Sequence, residues 1–134
     1  MAGTATITIS VAMADLGPFP PHSRTFTVTS VDEWAGQRIE VASGGSTTAE
    51  LPKGGIDTVT GLYIYLVSGG TTASAGLSID IAAASDWAAG DLVLLSGQAI
   101  FLVPVYGAGD ETYVKNLSTD TDAVVSFLYF GDNE

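Results

Sequence analysis

Few residues of this chain have the type and spacing that catalysis requires. The single histidine, His22, follows a run of prolines. A Ser-His-Asp site needs a nucleophile and a carboxylate beside the imidazole, and the residues around His22 do not suggest one. The paired acids Asp32-Glu33 and Asp110-Glu111 have the chemistry for glycoside hydrolysis, but both pairs lie in predicted turns, where carboxylates are ordinarily solvated. We therefore predict no catalytic residues and no enzymatic activity.

The sequence also predicts no metal and no cofactor. The chain has no cysteine, which excludes disulfides and thiolate ligands. Asp120 and Asp122 lie near Asn116 in an oxygen-rich stretch that could hold calcium, yet the spacing of an EF-hand loop is absent. A polar hairpin loop is the favoured interpretation, and calcium binding stays open. No glycine-rich phosphate motif is present.

Charge narrows the range of partners. Lys plus Arg number 4 and Asp plus Glu number 15, so the formal net charge is −11. Nucleic acids and anionic membranes need clustered cations, so neither is an expected partner. The beginning of the chain lacks a basic region followed by an apolar run, and no stretch of 18 apolar residues occurs. We expect no secretion signal and no membrane span.

A period of two dominates the hydrophobic pattern and predicts β-strands. In residues 4–12, apolar side chains alternate with Thr and Ser. Similar strands are predicted at 24–31, 38–42, 47–51, 58–67, 77–81, 92–95, 99–106, 112–117 and 123–130. Residues 32–36 are predicted to turn, and 82–89 are the only helix-like stretch. Eight to ten short antiparallel strands predict an all-β sandwich, with a jelly roll as first choice and an immunoglobulin-type sandwich second.

The predicted organisation is a single domain spanning residues 1–134, with an extended N-terminal arm. Residues 1–16 form the arm, and 17–23 form a connector that three prolines make stiff. Such an arm can pair with the sheet edge of a neighbouring subunit, although it can also pair within its own sheet. The residues predicted to bind a partner are Ile7, Ile9, Val11 and Phe19.

The predicted surface favours protein partners. Only 14% of residues are charged, so large areas can be buried without stranding unpaired ions. Strands 62–67, 99–106 and 123–130 are apolar on both faces and need cover on both. A homo-oligomer provides that cover, although a single sandwich can also cover its own central strands. Exposed tryptophans or tyrosines could alternatively stack on sugars.

Several segments resemble small all-β structural proteins of tailed-phage virions, in particular capsid cement or decoration proteins. The similar segments are the Thr-rich alternating N-terminus, residues 97–104 (GQAIFLVP), and the strand–turn–strand of residues 113–117 and 123–128. The resemblance implies a β-sandwich that forms closed homo-oligomers, with a trimer favoured over a dimer. It further implies that the protein is made in a host cytoplasm, is located in the virion, and stabilises the shell by bridging major capsid (coat) subunits.

Two alternative functions remain open. The first is a self-assembling filament or tail-fibre subunit, in which the N-terminal strand of one copy completes the sheet of the next. The second is a carbohydrate-binding β-sandwich module that uses exposed aromatic side chains.

Overall fold

The chain is built from β-strands. The structure, a computed structural model, describes residues 3–11, 22–31, 33–83, 92–102 and 111–132. Within these ranges no helix has the length and apolar character needed to cross a membrane. Ten strands occupy them: β1 (Gly3–Val11), β2 (His22–Val31), β3 (Glu33–Val41), β4 (Thr47–Leu51), β5 (Thr58–Ser68), β6 (Leu77–Ala83), β7 (Leu92–Leu94), β8 (Ala99–Leu102), β9 (Glu111–Asn116) and β10 (Ala123–Asp132).

Eight of these strands form a jelly roll. The front sheet has the order β3-β10-β5-β8, the back sheet has the order β4-β9-β6-β7, and all neighbours are antiparallel. Apart from the β6–β7 hairpin, each step along the chain from β3 to β10 crosses from one sheet to the other. This connectivity of two four-stranded sheets is that of the jelly roll. The predicted all-β, jelly-roll-like sandwich is therefore confirmed.

The hydrophobic core lies between the two sheets. Alternation along β10 points Val125, Phe127 and Tyr129 inward, as period-two geometry requires. Tyr129 is fully buried, and its hydroxyl donates a 2.9 Å hydrogen bond to the carbonyl oxygen of Leu51 on the back sheet. Further aliphatic side chains fill the interior: Val41, Leu51, Ile56, Val59, Leu62, Ile64, Leu66, Leu77, Ile79, Leu94 and Val114.

Asn116, at the end of β9, ties the two sheets together. Its buried side-chain amide donates hydrogen bonds to the carbonyl oxygens of Val41 on the front sheet (3.0 Å), Ala42 (3.3 Å) and Thr121 (2.9 Å). Its own carbonyl oxygen accepts a 3.0 Å bond from the Ser118 backbone N–H. Because this amide is buried and makes all of these bonds, it fixes the β9–β10 loop against the end of β3.

The first two strands form a separate two-stranded sheet, here called the N-terminal ribbon. β1 pairs antiparallel with β2 over its whole length, from Gly3 opposite Val31 to Val11 opposite His22. The hydroxyl face of the ribbon carries cross-strand contacts of 3.2 Å between Thr8 and Thr25 and between Ser10 and Ser23. β2 contacts β10 of the front sheet. The predicted arm strand thus pairs with a strand of its own chain, and its exchange between copies stays a prediction.

Two predicted boundaries were wrong. Residues 33–36 belong to strand β3 rather than to a turn, because β10 continues to Asp132 and supplies backbone partners opposite them. The connector ends before residue 22, because His22 and Ser23 pair with β1. In the helix-like stretch, residues 82–83 extend β6, whereas 84–89 lie outside the described residues. Residues 103–106 of the predicted strand 99–106 also lie outside them.

Candidate interaction face

One face of the front sheet brings together large apolar side chains from all four of its strands. The register places Leu128 of β10 opposite Tyr63 of β5, and Tyr63 opposite Phe101 of β8. Phe130, two residues further along β10, lies opposite Trp34 of β3. Residues directly opposite one another in antiparallel strands point to the same side of the sheet. Since Tyr129 points into the core, these five side chains point away from it.

Phe130 is buried although it lies on this outer face. Its ring lies over Gly61 of β5, so that a Cβ atom at position 61 would collide with the ring. The ring also stacks on Phe101, with centroids 6.1 Å apart and an angle of 14° between the planes. Phe130 is 6% exposed, and it does not belong to the core cluster between the sheets. The glycine and the two rings form a small hydrophobic layer outside the sandwich.

Around this layer, large apolar side chains reach the solvent. Trp34 is 70% exposed, and Tyr63 and Leu128 are each 38% exposed. Ile9 of the ribbon, which borders the same face, is 42% exposed. We call these four residues the apolar patch. On the back sheet, Val93 is the one large hydrophobic side chain of the described residues with comparable exposure. Large exposed apolar side chains gathered on one side of a molecule are typical of a binding face.

A cleft of about 640 Å³ separates β1 from the front sheet. One wall is formed by residues 5–9 of β1, and the other by Tyr63, Phe101, Leu128 and their neighbours. Among the described residues that line it, none is charged. Its lining is chemically suited to apolar side chains of a protein partner, whereas an ionic ligand would lose its hydration without gaining a counter-charge.

The outer face of the back sheet has the opposite character. Glu50 of β4 lies opposite Tyr113 of β9, and the Tyr113 hydroxyl donates a 2.9 Å hydrogen bond to Oε2 of Glu111. That hydrogen bond raises the pKa of Tyr113 above its ordinary value. The pKa of Glu50 is also raised, first because its carboxyl is partly buried and second because the Glu111 carboxyl lies nearby. The positive charge of Lys53 offsets part of this increase. Among the described residues, no three His, Asp or Glu side chains are close enough together to hold a metal ion.

Asp120 and Asp122, the acids considered as calcium ligands, accept hydrogen bonds that stabilise a turn. Asp122 accepts a 2.8 Å bond from the Ser43 backbone N–H. Asp120 accepts bonds from the hydroxyls of Ser118 (3.0 Å) and Thr121 (3.1 Å). These are the bonds of a polar loop between β9 and β10. Of the residues considered for catalysis, His22 begins β2 and Glu33 begins β3; Asp32 and Asp110 lie outside the described residues.

The four residues predicted to bind a partner are only partly described. Ile7 is half-buried and Ile9 is exposed, and both border the cleft. Val11 ends β1, but its side chain is outside the description, as is all of Phe19. The sequence reasoning did not single out Leu128 as a surface residue. The apolar character of strands 62–67 and 123–130 on both faces did predict that the outer face needs cover, but it did not identify the exposed side chains.

Comparison with known proteins gives no relative: no protein-family model, no curated protein and no solved structure matches the chain.

Proposed function

We propose that the chain is a non-enzymatic structural protein of a phage virion, a capsid cement or decoration protein that stabilises the shell by bridging coat subunits. The observation that carries this proposal is the gathering of exposed Trp34, Tyr63 and Leu128 on one face of the front sheet. Surfaces of this kind bind other proteins. In this role the protein is made in the host cytoplasm and ends in the virion.

Charge supports a protein partner. The patch itself is uncharged, whereas the back sheet carries Glu50, Glu111 and Asp80. Burial of the patch against a coat subunit removes apolar area from water without desolvating any of these acids. The net charge of −11 disfavours contact with the packaged nucleic acid.

The protein stabilises the shell because its binding is thermodynamically linked to shell assembly. A protein that binds the assembled shell, and not the free subunits, shifts the equilibrium toward the shell. At a free concentration of 100 times its Kd, it adds about 2.7 kcal/mol for each site that it occupies. The mechanism needs no catalytic group.

The jelly roll is compatible with this role. The architecture recurs in viral capsid domains, lectins and cupins, and it supports the proposal only by analogy of fold. The described interior is filled by aliphatic side chains and by Phe127 and Tyr129, and the Tyr129 hydroxyl donates its hydrogen bond to the Leu51 carbonyl oxygen.

The test uses particles of the phage that encodes the chain, prepared without it. Purified chain is added, and co-sedimentation and the temperature of genome release are measured. Two variants are compared: Leu128→Asp, which places a charge in the patch, and Val93→Asp, which places one at a site of nearly equal exposure, 37% against 38%, on the back sheet.

The proposal predicts that the wild-type chain and Val93→Asp bind the particles and raise the release temperature, whereas Leu128→Asp does neither. Far-ultraviolet circular dichroism verifies that both variants are folded. If the folded wild-type chain fails to bind these particles, the proposal is wrong. If both variants bind the particles equally well, the coat does not contact the chain through the apolar patch.

Carbohydrate binding is a second candidate, favoured by the exposure of Trp34. Its indole borders a groove of about 400 Å³, which Gln37, Pro52 and Gly54 also line. An exposed aromatic ring can stack on a sugar, and the Gln37 amide, which lines the same groove, has donor and acceptor groups for sugar hydroxyls. Binding on a glycan array that Trp34→Ala abolishes, and that Val93→Ala leaves intact, would support this candidate. The absence of any glycan bound by the wild-type chain would exclude it for the glycans displayed.

A further inference from the structure

The outer edge of β1 pairs with no strand among the described residues. Within the described part of the chain, β1 pairs only with β2, so its other edge presents unpaired backbone N–H and C=O groups. Natural proteins blunt such edges with charged side chains, prolines or bulges. Residues 4–11 contain no charged residue and no proline, and their pairing with β2 is regular from Thr4 onward, after a register shift between Gly3 and Thr4. An edge of this length and composition is suited to receive another strand.

The N-terminal ribbon has too few strands for a stable sheet. Two-stranded sheets are only marginally stable in water, and three or more strands are normally needed. The front and back sheets each have four strands, whereas the ribbon has two and a largely exposed hydroxyl face. Addition of strands at the β1 edge would remove this weakness.

The sequence of β1 is complementary to itself. In an antiparallel pairing that uses all nine residues, Ile7 lies opposite Ile7 of the second copy. Apolar residues then pair with apolar residues (Ala5 with Ile9), and hydroxyl residues pair with hydroxyl residues (Thr6 with Thr8). We propose that β1 pairs antiparallel with β1 of a second copy of this chain, joining two ribbons into one continuous four-stranded sheet. A contact of this kind is isologous and produces a closed dimer.

Charge favours this edge over other surfaces of the molecule. Two copies, each with a net charge of −11, repel one another on approach. The first fourteen residues carry no charged side chain. Contact along β1 therefore buries no carboxylate, and places no like charges directly opposite one another.

The inferred dimer gives the proposed cement protein a way to bridge two coat subunits. This step rests on the proposed function. A protein that bridges coat subunits needs at least two binding faces, and the described part of a single chain has one apolar patch. A two-fold dimer carries two patches. The inferred dimer differs from the trimer that the resemblance to cement proteins implies, so the native mass distinguishes the two.

The first test uses the absence of cysteine. With Ile7→Cys, two thiols face each other across the two-fold axis, at a Cα separation of about 4.5–5.5 Å that a disulfide can span. With Thr4→Cys, the two thiols lie about 20 Å apart along the paired strands. Under mild oxidation of the full chain, Ile7→Cys is expected to give at least ten times more disulfide dimer than Thr4→Cys. Equal cross-linking of the two variants would overturn the proposal.

The second test measures native mass by light scattering, without capsids, so its result is independent of the proposed function. The wild-type chain is expected at about 27 kDa, twice the 13.7 kDa of one chain. Thr6→Lys with Thr8→Lys places like charges opposite one another in the dimer and is expected to give monomer. The matched control, Thr25→Lys with Thr27→Lys, changes exposed threonines of β2 and is expected to stay dimeric. A wild-type monomer, a trimer or a filament would each overturn the proposal.

Discussion

The ring of Phe130 lies directly over Gly61 of the neighbouring strand, on the side of the front sheet that faces away from the core. Without a side chain at position 61, the ring can lie close to the β5 backbone and stack on Phe101. An aromatic ring that covers a glycine on an adjacent strand protects an otherwise exposed stretch of backbone. This contact forms the hydrophobic layer around which the residues of the apolar patch lie.

Gly61→Ala is expected to displace the Phe130 ring and to lower the free energy of unfolding by about 1–3 kcal/mol, the usual cost of overpacking. Urea denaturation measures the change. A double-mutant cycle provides the control, because Gly61→Ala should cost much less in a Phe130→Ala background, where the ring is absent. Additive costs of the two substitutions would contradict the contact.

Asn116→Ala is expected to be among the most destabilising single substitutions at a polar residue. It removes three donated bonds and one accepted bond at a buried site. A loss of about 2–6 kcal/mol is expected, because two of the abandoned backbone groups stay unsatisfied at about 1–3 kcal/mol each. Asp122→Ala is the comparison, since it removes one exposed bond to Ser43 and should cost about 1 kcal/mol. Equal costs would show that Asn116 does not tie the sheets.

Glu50 is expected to give the fold a stability component that decreases as the pH rises. Its pKa is raised in the folded state above the ordinary 4.5, so the folded chain binds this proton more tightly than the unfolded chain. The stabilisation is complete below 4.5 and is lost as the pH rises through the raised pKa. Glu50→Gln should therefore be more stable than the wild-type chain at pH 7, and the difference should shrink toward pH 4.

Urea denaturation at a series of pH values measures this difference. Glu40→Gln, on the front sheet, removes one negative charge in the same way and serves as the control. If the difference in free energy of unfolding between Glu50→Gln and the wild-type chain is the same at every pH, the pKa of Glu50 is not raised in the folded state. Because Glu50 is largely exposed, solvent screening keeps the effect small.

The sequence predicted an all-β sandwich, with a jelly roll as first choice and an immunoglobulin-type sandwich second, because strand alternation is a local signal that the inward positions of β5, β9 and β10 display clearly. It mispredicted Trp34 as a turn residue. Strand β3 persists there because β10 supplies its hydrogen-bond partners, with Phe130 opposite Trp34 although the two lie 96 residues apart in the sequence. Such tertiary partners override local composition. The sequence also did not identify which side chains of the outer face are exposed, for a related reason. Alternation shows that Leu128 and Tyr63 lie opposite the core, but it does not show which neighbouring strands leave them uncovered.

The most direct test of the central claim is cryo-electron microscopy of the phage particles, with and without this chain. The account predicts extra density on the outside of the shell that fits the jelly roll and spans two coat subunits, with Trp34 and Leu128 against the coat. Density for the chain in the tail or a fibre, or its absence from purified particles, would contradict it.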